Sequence, residues 1–115
     1  MTFSEYAEKA ALTTVYPRKG YVEGLIYCAF GLGGEAGEVL EQVKKMIRDD
    51  EFGALSLERR ERIKLELGDV LWYVSQLAAE CGLSLEKIAQ ANIEKLARRQ
   101  AEGKIHGAGS TRLWR

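Results

Sequence analysis

Two short acidic motifs contain the residues of this chain that are best suited to chemistry. Glu35 and Glu38 form the first pair, Glu66 and Asp69 form the second, and a glycine directly precedes the second acid of each pair. Residues i and i+3 of a helix lie on one face, one turn apart, so each pair would point both carboxylates the same way. Two such pairs on neighbouring helices would bring four carboxylates together. Clustered oxygen ligands suit Mg²⁺ or Mn²⁺, so the sequence predicts a divalent-metal site.

Surface acids are the alternative interpretation, because glutamate commonly lies on exposed helix faces. Each pair taken alone is better explained in that way. The metal interpretation depends on both pairs together, since each contains a glycine and since Glu66 and Asp69 lie beside the apolar stripe of their helix. We interpret Gly37 and Gly68 as removing side chains so that the two helix backbones approach closely. The bases that would balance surface acids are Lys44, Lys45, Arg62 and Lys64.

A second group of residues favours a phosphate ligand. Asn92, Lys95 and Arg99 follow one another at i, i+3 and i+7 on a predicted helix. The two basic side chains would neutralise phosphate oxygens that a metal leaves uncovered. Asn92 is predicted to lie close to the buried stripe, where its amide must be hydrogen-bonded. The alternative for Lys95 and Arg99 is an ordinary exposed helical face.

The elements that position these residues are predicted to be helices. The chain has one proline and no sustained β-branched alternation. Thr2 with Glu5 fits a capping box, Ser56 and Ser84 are predicted N-caps, and Gly82 is placed just after a helix end. The predicted all-α fold has four helices: from the Thr2 cap to a connector at 16–21, from 22 to 48, from the Ser56 cap to 81, and from the Ser84 cap to about 102. We expect them to form an antiparallel bundle.

The second predicted helix contains several glycines, each of which costs about 0.5–1 kcal/mol relative to alanine in a helix interior. A break near Gly31 to Gly34 would avoid part of this cost. We favour an unbroken helix, because the apolar period runs through the glycines without slipping.

Composition bounds the class of protein. The 115 residues suit one domain, which we place at 1–102 with a C-terminal tail at 103–115. The 17 acids and 17 bases cancel, so we expect no nucleic-acid partner. No apolar run suits a membrane and no signal peptide is apparent. Cys28 and Cys81 lack metal-type spacing and read as reduced thiols, so the expected location is the cytoplasm.

On these residues the chain resembles the MazG-like nucleotide pyrophosphohydrolases of the all-α NTP pyrophosphatase superfamily. That family is marked by Glu-x-x-Glu, a spacer of a couple of dozen residues, and Glu-x-x-Asp. The runs at 70–73 (Val-Leu-Trp-Tyr) and 92–96 (Asn-Ile-Glu-Lys-Leu) are also similar to the family, and the resemblance covers about 24–99. Gly34 is a departure, because many members carry a further glutamate there.

The resemblance implies Mg²⁺-dependent cleavage of a nucleoside triphosphate to a monophosphate and pyrophosphate. It implies a homodimer or homotetramer whose sites are completed across subunits. Trp72 would pack either at such an interface or in the core. One of the pair Glu35 and Glu38 would orient or deprotonate the attacking water instead of binding the metal. The implied metal ligands are Glu35, Glu38, Glu66 and Asp69, and the implied substrate-binding residues are Lys95, Asn92, Tyr73 and Arg99.

Other functions are compatible with the same residues. A phosphoribosyl-ATP or dUTP pyrophosphohydrolase would belong to the same superfamily. A helical oligomerisation module without catalytic activity would belong to a different class. Tyr6, Tyr27 and Phe30 would each be able to stack a nucleobase, but ordinary core packing explains their spacing equally well, so no base site is assigned.

Overall fold

The computed structural model of this protein describes residues 1–51 and 54–103. Four α-helices account for most of them, and these residues contain no strand. The predicted all-α class is therefore confirmed. The predicted C-terminal tail lies, from residue 104 onward, outside the described residues. The helices are α1 (Phe3–Ala11), α2 (Val22–Asp49), α3 (Leu57–Glu80) and α4 (Leu85–Ala101).

Side-chain caps begin three of the helices, as the sequence predicted. Thr2 Oγ1 accepts from the backbone N–H of Glu5 at 3.0 Å, and the Glu5 carboxylate accepts from the N–H of Thr2 at 2.6 Å. Ser56 and Ser84 cap α3 and α4 by accepting from the backbone N–H three residues on. Gly82, with φ of +70°, follows the end of α3. These local signals therefore set the helix boundaries.

The first helix ends earlier than the sequence predicted. It stops at Ala11, although the apolar spacing continues to Thr14 and the predicted connector began only at residue 16. The hydroxyl of Thr13 donates to the carbonyl of Ala10 at 2.8 Å, which satisfies a helix-end acceptor from the side chain. Residues 12–21 thus form a connector longer than predicted.

The second helix runs without a break through its glycines, from Val22 to Asp49, as we had favoured. It runs antiparallel to α3. Arg59 Nη1 donates to the buried Gln42 Oε1 at 2.8 Å near one end of the pair, and Tyr73 packs against Gly31 further along it. α1 and α4 contact each other and α3, but neither contacts α2. Antiparallel packing is therefore seen for α2 and α3, and α3 joins the remaining helices.

The connector is fixed on α2 and α3 by aromatic and polar contacts. Tyr16 is buried, its ring stacks on that of Tyr27 with centroids 5.6 Å apart, and it meets the Trp72 ring edge-on. Its hydroxyl donates to the carboxylate of Glu80, which also accepts from the N–H of Gly20 at 3.1 Å. These contacts hold the start of α2 against the end of α3.

Large apolar side chains remain exposed on the surface of the chain. Phe30 and Leu40 on α2 are 76% and 70% exposed, whereas the buried apolar residues are few and include Ala10 and Ala78. Exposed apolar surface of this extent commonly marks an interface. None of the helices in the described residues has the length and apolar character needed to cross a membrane.

Candidate metal centre

Three of the four predicted metal ligands come together where α2 faces α3. Glu35 on α2 and Glu66 and Asp69 on α3 each offer a carboxylate oxygen, and these oxygens all lie within 4.8 Å of one another. We call these three residues the acidic cluster. Glu35 and Glu66 are half-buried and Asp69 is exposed. The i, i+3 spacing on α3 places two of the carboxylates on one face, and the antiparallel α2 supplies the third.

The electrostatics of the acidic cluster are unfavourable without a cation. The pKa of Glu35 is raised, first by burial and then by the charges of Asp69, Glu66 and Glu38. In the part of the chain that the structure describes, no lysine or arginine forms an ion pair with the cluster. Like charges that are neither paired nor dispersed destabilise the folded chain.

A divalent cation with a preference for oxygen fits this donor set. Mg²⁺ binds oxygen at about 2.0–2.1 Å, so two ligands of one ion lie at most about 4.2 Å apart. The oxygens of the cluster are within 4.8 Å of one another, and a small side-chain rotation would close the difference. Carboxylate oxygens, with no cysteine or histidine in the group, favour Mg²⁺ or Mn²⁺ over softer metals.

Glu38 lies outside the three-carboxylate group. It follows Glu35 by one turn of α2 and is exposed. Its charge still reaches the cluster, since it contributes to the raised pKa of Glu35. Its assignment as a ligand or as the residue that orients water stays a prediction.

The glycines of the two motifs do not have the role that we predicted. A Cβ added to Gly37 or Gly68 would meet no atom within 4 Å, so the proposed close approach of backbones at these positions is wrong. The close approach occurs at Gly31, where a Cβ would overlap the Cε1, Cζ and Cδ1 atoms of Tyr73. The spacing held a usable signal: Gly31 precedes Glu35 by four residues, and Tyr73 follows Asp69 by four.

Two tyrosines border the acidic cluster. Burial and the neighbouring Tyr27 hydroxyl raise the pKa of Tyr73, and the charge of Glu35 adds to this rise. Burial, followed by the charge of Asp69, raises the pKa of Tyr6. Both phenols are therefore neutral near pH 7 and retain a hydrogen to donate. Sequence reasoning gave Tyr27 no role beside Tyr73.

Trp72 is held within the protomer. Its ring meets Tyr73 edge-on with centroids 5.0 Å apart, and its Nε1–H donates to Thr13 Oγ1 at 2.8 Å. The indole thus links α3 to the connector on one side and borders the tyrosine of the site on the other.

The predicted phosphate-binding residues lie on α4, which does not contact α2, the helix of Glu35. Asn92 and Lys95 are exposed, so the prediction that Asn92 lies close to buried side chains is wrong. The reason is that, among the described helices, α4 packs on α1 and α3 and not on α2, which leaves this face open. Arg99 is half-buried. No contact within the described residues joins these three to Glu35 on α2, and their substrate roles stay predictions.

Comparisons with known proteins identify the family of this chain. The profile of the MazG nucleotide pyrophosphohydrolase domain matches residues 28–103, a range that includes the acidic cluster and all of α3 and α4. The Gene 37 protein of Mycobacterium phage L5 is 43% identical over 110 residues, which cover 93% of this chain and 96% of that protein. No solved structure matches the chain. This chain belongs to the MazG nucleotide pyrophosphohydrolase domain family.

Proposed function

We propose that this protein hydrolyses nucleoside or deoxynucleoside triphosphates to the monophosphate and pyrophosphate, with Mg²⁺ or Mn²⁺ as cofactor. The observation that carries the proposal is the acidic cluster, in which Glu35, Glu66 and Asp69 converge from two helices. Within the described residues none of the three forms an ion pair with a base. Membership of a pyrophosphohydrolase family supports it. A role in nucleotide-pool control would follow from this activity.

The acidic cluster would hold the cation through its carboxylate oxygens. A bound Mg²⁺ would offset the charge of the triphosphate and lower the pKa of a bound water. Glu38, exposed one turn after Glu35, would orient this water and accept its proton. The oxygen of this water would form the new bond to the α-phosphorus while the α–β anhydride bond breaks, and pyrophosphate would leave.

Tyr73 is the substrate-binding candidate that lies beside the acidic cluster in the same protomer. Its phenol is neutral, since burial and Tyr27 raise its pKa, so it would donate a hydrogen bond to a phosphate or sugar oxygen. The hydrogen bond would be charge-assisted where it reaches a phosphate oxygen, and such bonds are stronger than neutral ones.

Lys95, Asn92 and Arg99 would reach the substrate from a second copy of the chain. In one protomer α4 does not contact α2, and Asn92 and Lys95 are exposed. The exposed Phe30 and Leu40 on α2 supply apolar surface for such an assembly. We therefore propose a homodimer or homotetramer in which α4 of one subunit completes the site of another.

A panel of nucleotides tests this function. The protein is incubated with each common NTP and dNTP, with dUTP and with phosphoribosyl-ATP, in Mg²⁺, in Mn²⁺ and in EDTA, and pyrophosphate is measured. We expect metal-dependent release from at least one compound. No release from any of them, together with a melting temperature unchanged by Mg²⁺ and nucleotide, would refute the enzyme and favour a non-catalytic oligomerisation module.

Matched acid-to-amide variants on α3 locate the chemistry. Asp69→Asn and Glu66→Gln should each lower kcat by about 10²-fold or more while the protein stays folded, as loss of a key electrostatic group does in other enzymes. Glu61→Gln is the control, because Glu61 is an exposed acid of the same helix that pairs with Lys64. Equal activity of Asp69→Asn and Glu61→Gln would show that Asp69 has no part in the reaction.

A further inference from the structure

The ring of Tyr73 occupies the space that a side chain at position 31 would need. Gly31 lies one turn before Glu35 on α2, and Tyr73 lies one turn after Asp69 on α3. The helices are antiparallel, so these two residues stand at the same level. A Cβ on Gly31 would overlap three ring atoms of Tyr73. The ring therefore closes one end of the gap between α2 and α3 that contains the acidic cluster.

The remaining neighbours leave this ring little freedom. Trp72 meets it edge-on, at 86° and with centroids 5.0 Å apart. Tyr27, one turn before Gly31 on α2, lies close enough for its hydroxyl to interact with that of Tyr73. Tyr27 is itself stacked on the buried Tyr16. A ring bounded in this way cannot absorb an added methyl group at position 31 without moving.

We propose that Gly31 is a positioning residue for catalysis: it admits the ring of Tyr73 to the wall of the acidic cluster, where the phenol O–H donates to an oxygen of the bound nucleotide. Gly31 itself touches neither the metal nor the substrate. This inference rests on the proposed function. It gives Gly31 a role because the missing side chain leaves room for the ring of Tyr73.

A pair of glycine variants on one helix tests the proposal. A Cβ at Gly33 would meet no atom within 4 Å, so Gly33→Ala is the same chemical change on α2 without the overlap. A displacement of about 1 Å in a positioning group can cost about 10²-fold in rate. We expect Gly31→Ala to lower kcat/KM by at least about tenfold, and Gly33→Ala to leave it within about twofold.

A measurement of metal binding distinguishes an effect on the position of Tyr73 from general damage to the site. Mn²⁺ affinity of the nucleotide-free protein, measured by calorimetry, should agree within about twofold among wild type, Gly31→Ala and Gly33→Ala, since Glu35, Glu66 and Asp69 are unchanged. A loss of Mn²⁺ binding in Gly31→Ala that matches its loss of activity would overturn the proposal, because Gly31 would then set the spacing of the acidic cluster itself.

If Gly31→Ala folds poorly, the same substitution made in a Tyr73→Leu variant still tests the proposal. Tyr73→Leu removes the ring atoms that the new Cβ would overlap, so Gly31→Ala should cost less than about twofold in kcat/KM on that background, and the melting temperature should be recovered. An unchanged penalty on the Tyr73→Leu background would refute the proposal.

No turnover by the wild-type protein would refute the proposed function and this inference together. Turnover with equal kinetics for Gly31→Ala and Gly33→Ala would refute the inference alone.

Discussion

Replacing Glu35 with glutamine should stabilise the metal-free protein while it abolishes activity. The Glu35 carboxylate lies within 4.8 Å of two other carboxylates. At that distance two unit charges repel by about 0.9 kcal/mol in water and by about 3.5 kcal/mol at an effective dielectric constant of 20. Asp69 is exposed and Glu66 half-buried, so water screens the charges and the lower figure applies. Removal of two such pairs should raise the free energy of unfolding by about 2 kcal/mol.

Thermal unfolding in EDTA measures this difference. For a domain of this size, 1 kcal/mol corresponds to about 4–8 °C in melting temperature, so Glu35→Gln should melt roughly 10 °C above wild type. One molar salt should reduce the difference by screening. Saturating Mn²⁺ should make the wild type melt above Glu35→Gln, because a ligand at 100 times its Kd adds about 2.7 kcal/mol to the free energy of unfolding of a protein that binds it.

The control for this prediction is another glutamate of α2. Glu41 pairs with Lys44 at 2.8 Å, so Glu41→Gln removes an attraction and should leave the melting temperature unchanged or slightly lower. A Glu35→Gln protein less stable than wild type in EDTA would refute the reasoning. Glu35 would then have a stabilising partner, and the acidic cluster would be a structural feature.

Two further predictions concern positions outside the metal ligands. Gly68→Ala should raise the free energy of unfolding by about 0.5–1 kcal/mol in urea titrations, because its Cβ meets no atom within 4 Å and alanine is the better helix former; a loss of stability would indicate that another copy of the chain packs there. Asp50 accepts from Arg59 Nε at 2.8 Å, and Arg59 holds the pKa of that carboxyl below its ordinary 3.8. The ionised form therefore stabilises the fold above pH 3.8, and this contribution is lost as pH falls through the lowered pKa. Asp50→Asn should destabilise the protein at pH 7, and the gap to wild type should close below about pH 4; a gap independent of pH would contradict this.

Much of the fold was predictable because the signals for it are local. Caps at Thr2, Ser56 and Ser84 act on N–H groups three residues away, so a single chain segment determines them. The early end of α1 was missed because no glycine or proline marks it; there the backbone N–H and the hydroxyl of Thr13 both donate to the carbonyl of Ala10. The apolar period alone does not reveal such a bond.

The site was predictable only as far as helix geometry reaches. Spacing placed Glu66 and Asp69 of the second motif on one face, and the first motif supplied Glu35. Whether Asn92 is buried or exposed depends instead on the helices against which α4 packs, and no local sequence pattern reports that packing. The prediction of a close approach at Gly37 and Gly68 was wrong for a related reason. Several of them satisfy the same period, and only the tertiary contact with Tyr73 distinguishes Gly31 from Gly37.

Residues that are unfavourable for the stability of the fold indicate where its candidate functional site lies. An isolated helix with the length of α2 would be more stable with alanine at Gly31, and in the folded chain a neutral residue at Glu35 would remove repulsion by the acids of α3. At Gly31 the missing side chain is replaced by the ring of Tyr73, and at Glu35 the repulsion would be offset by a cation. Natural sequences depart from local stability mainly at functional sites. The two departures lie one turn apart on α2, Gly31 against Tyr73 and Glu35 against the two acids of α3. The proposed ligand, a metal-bound nucleotide, would account for both.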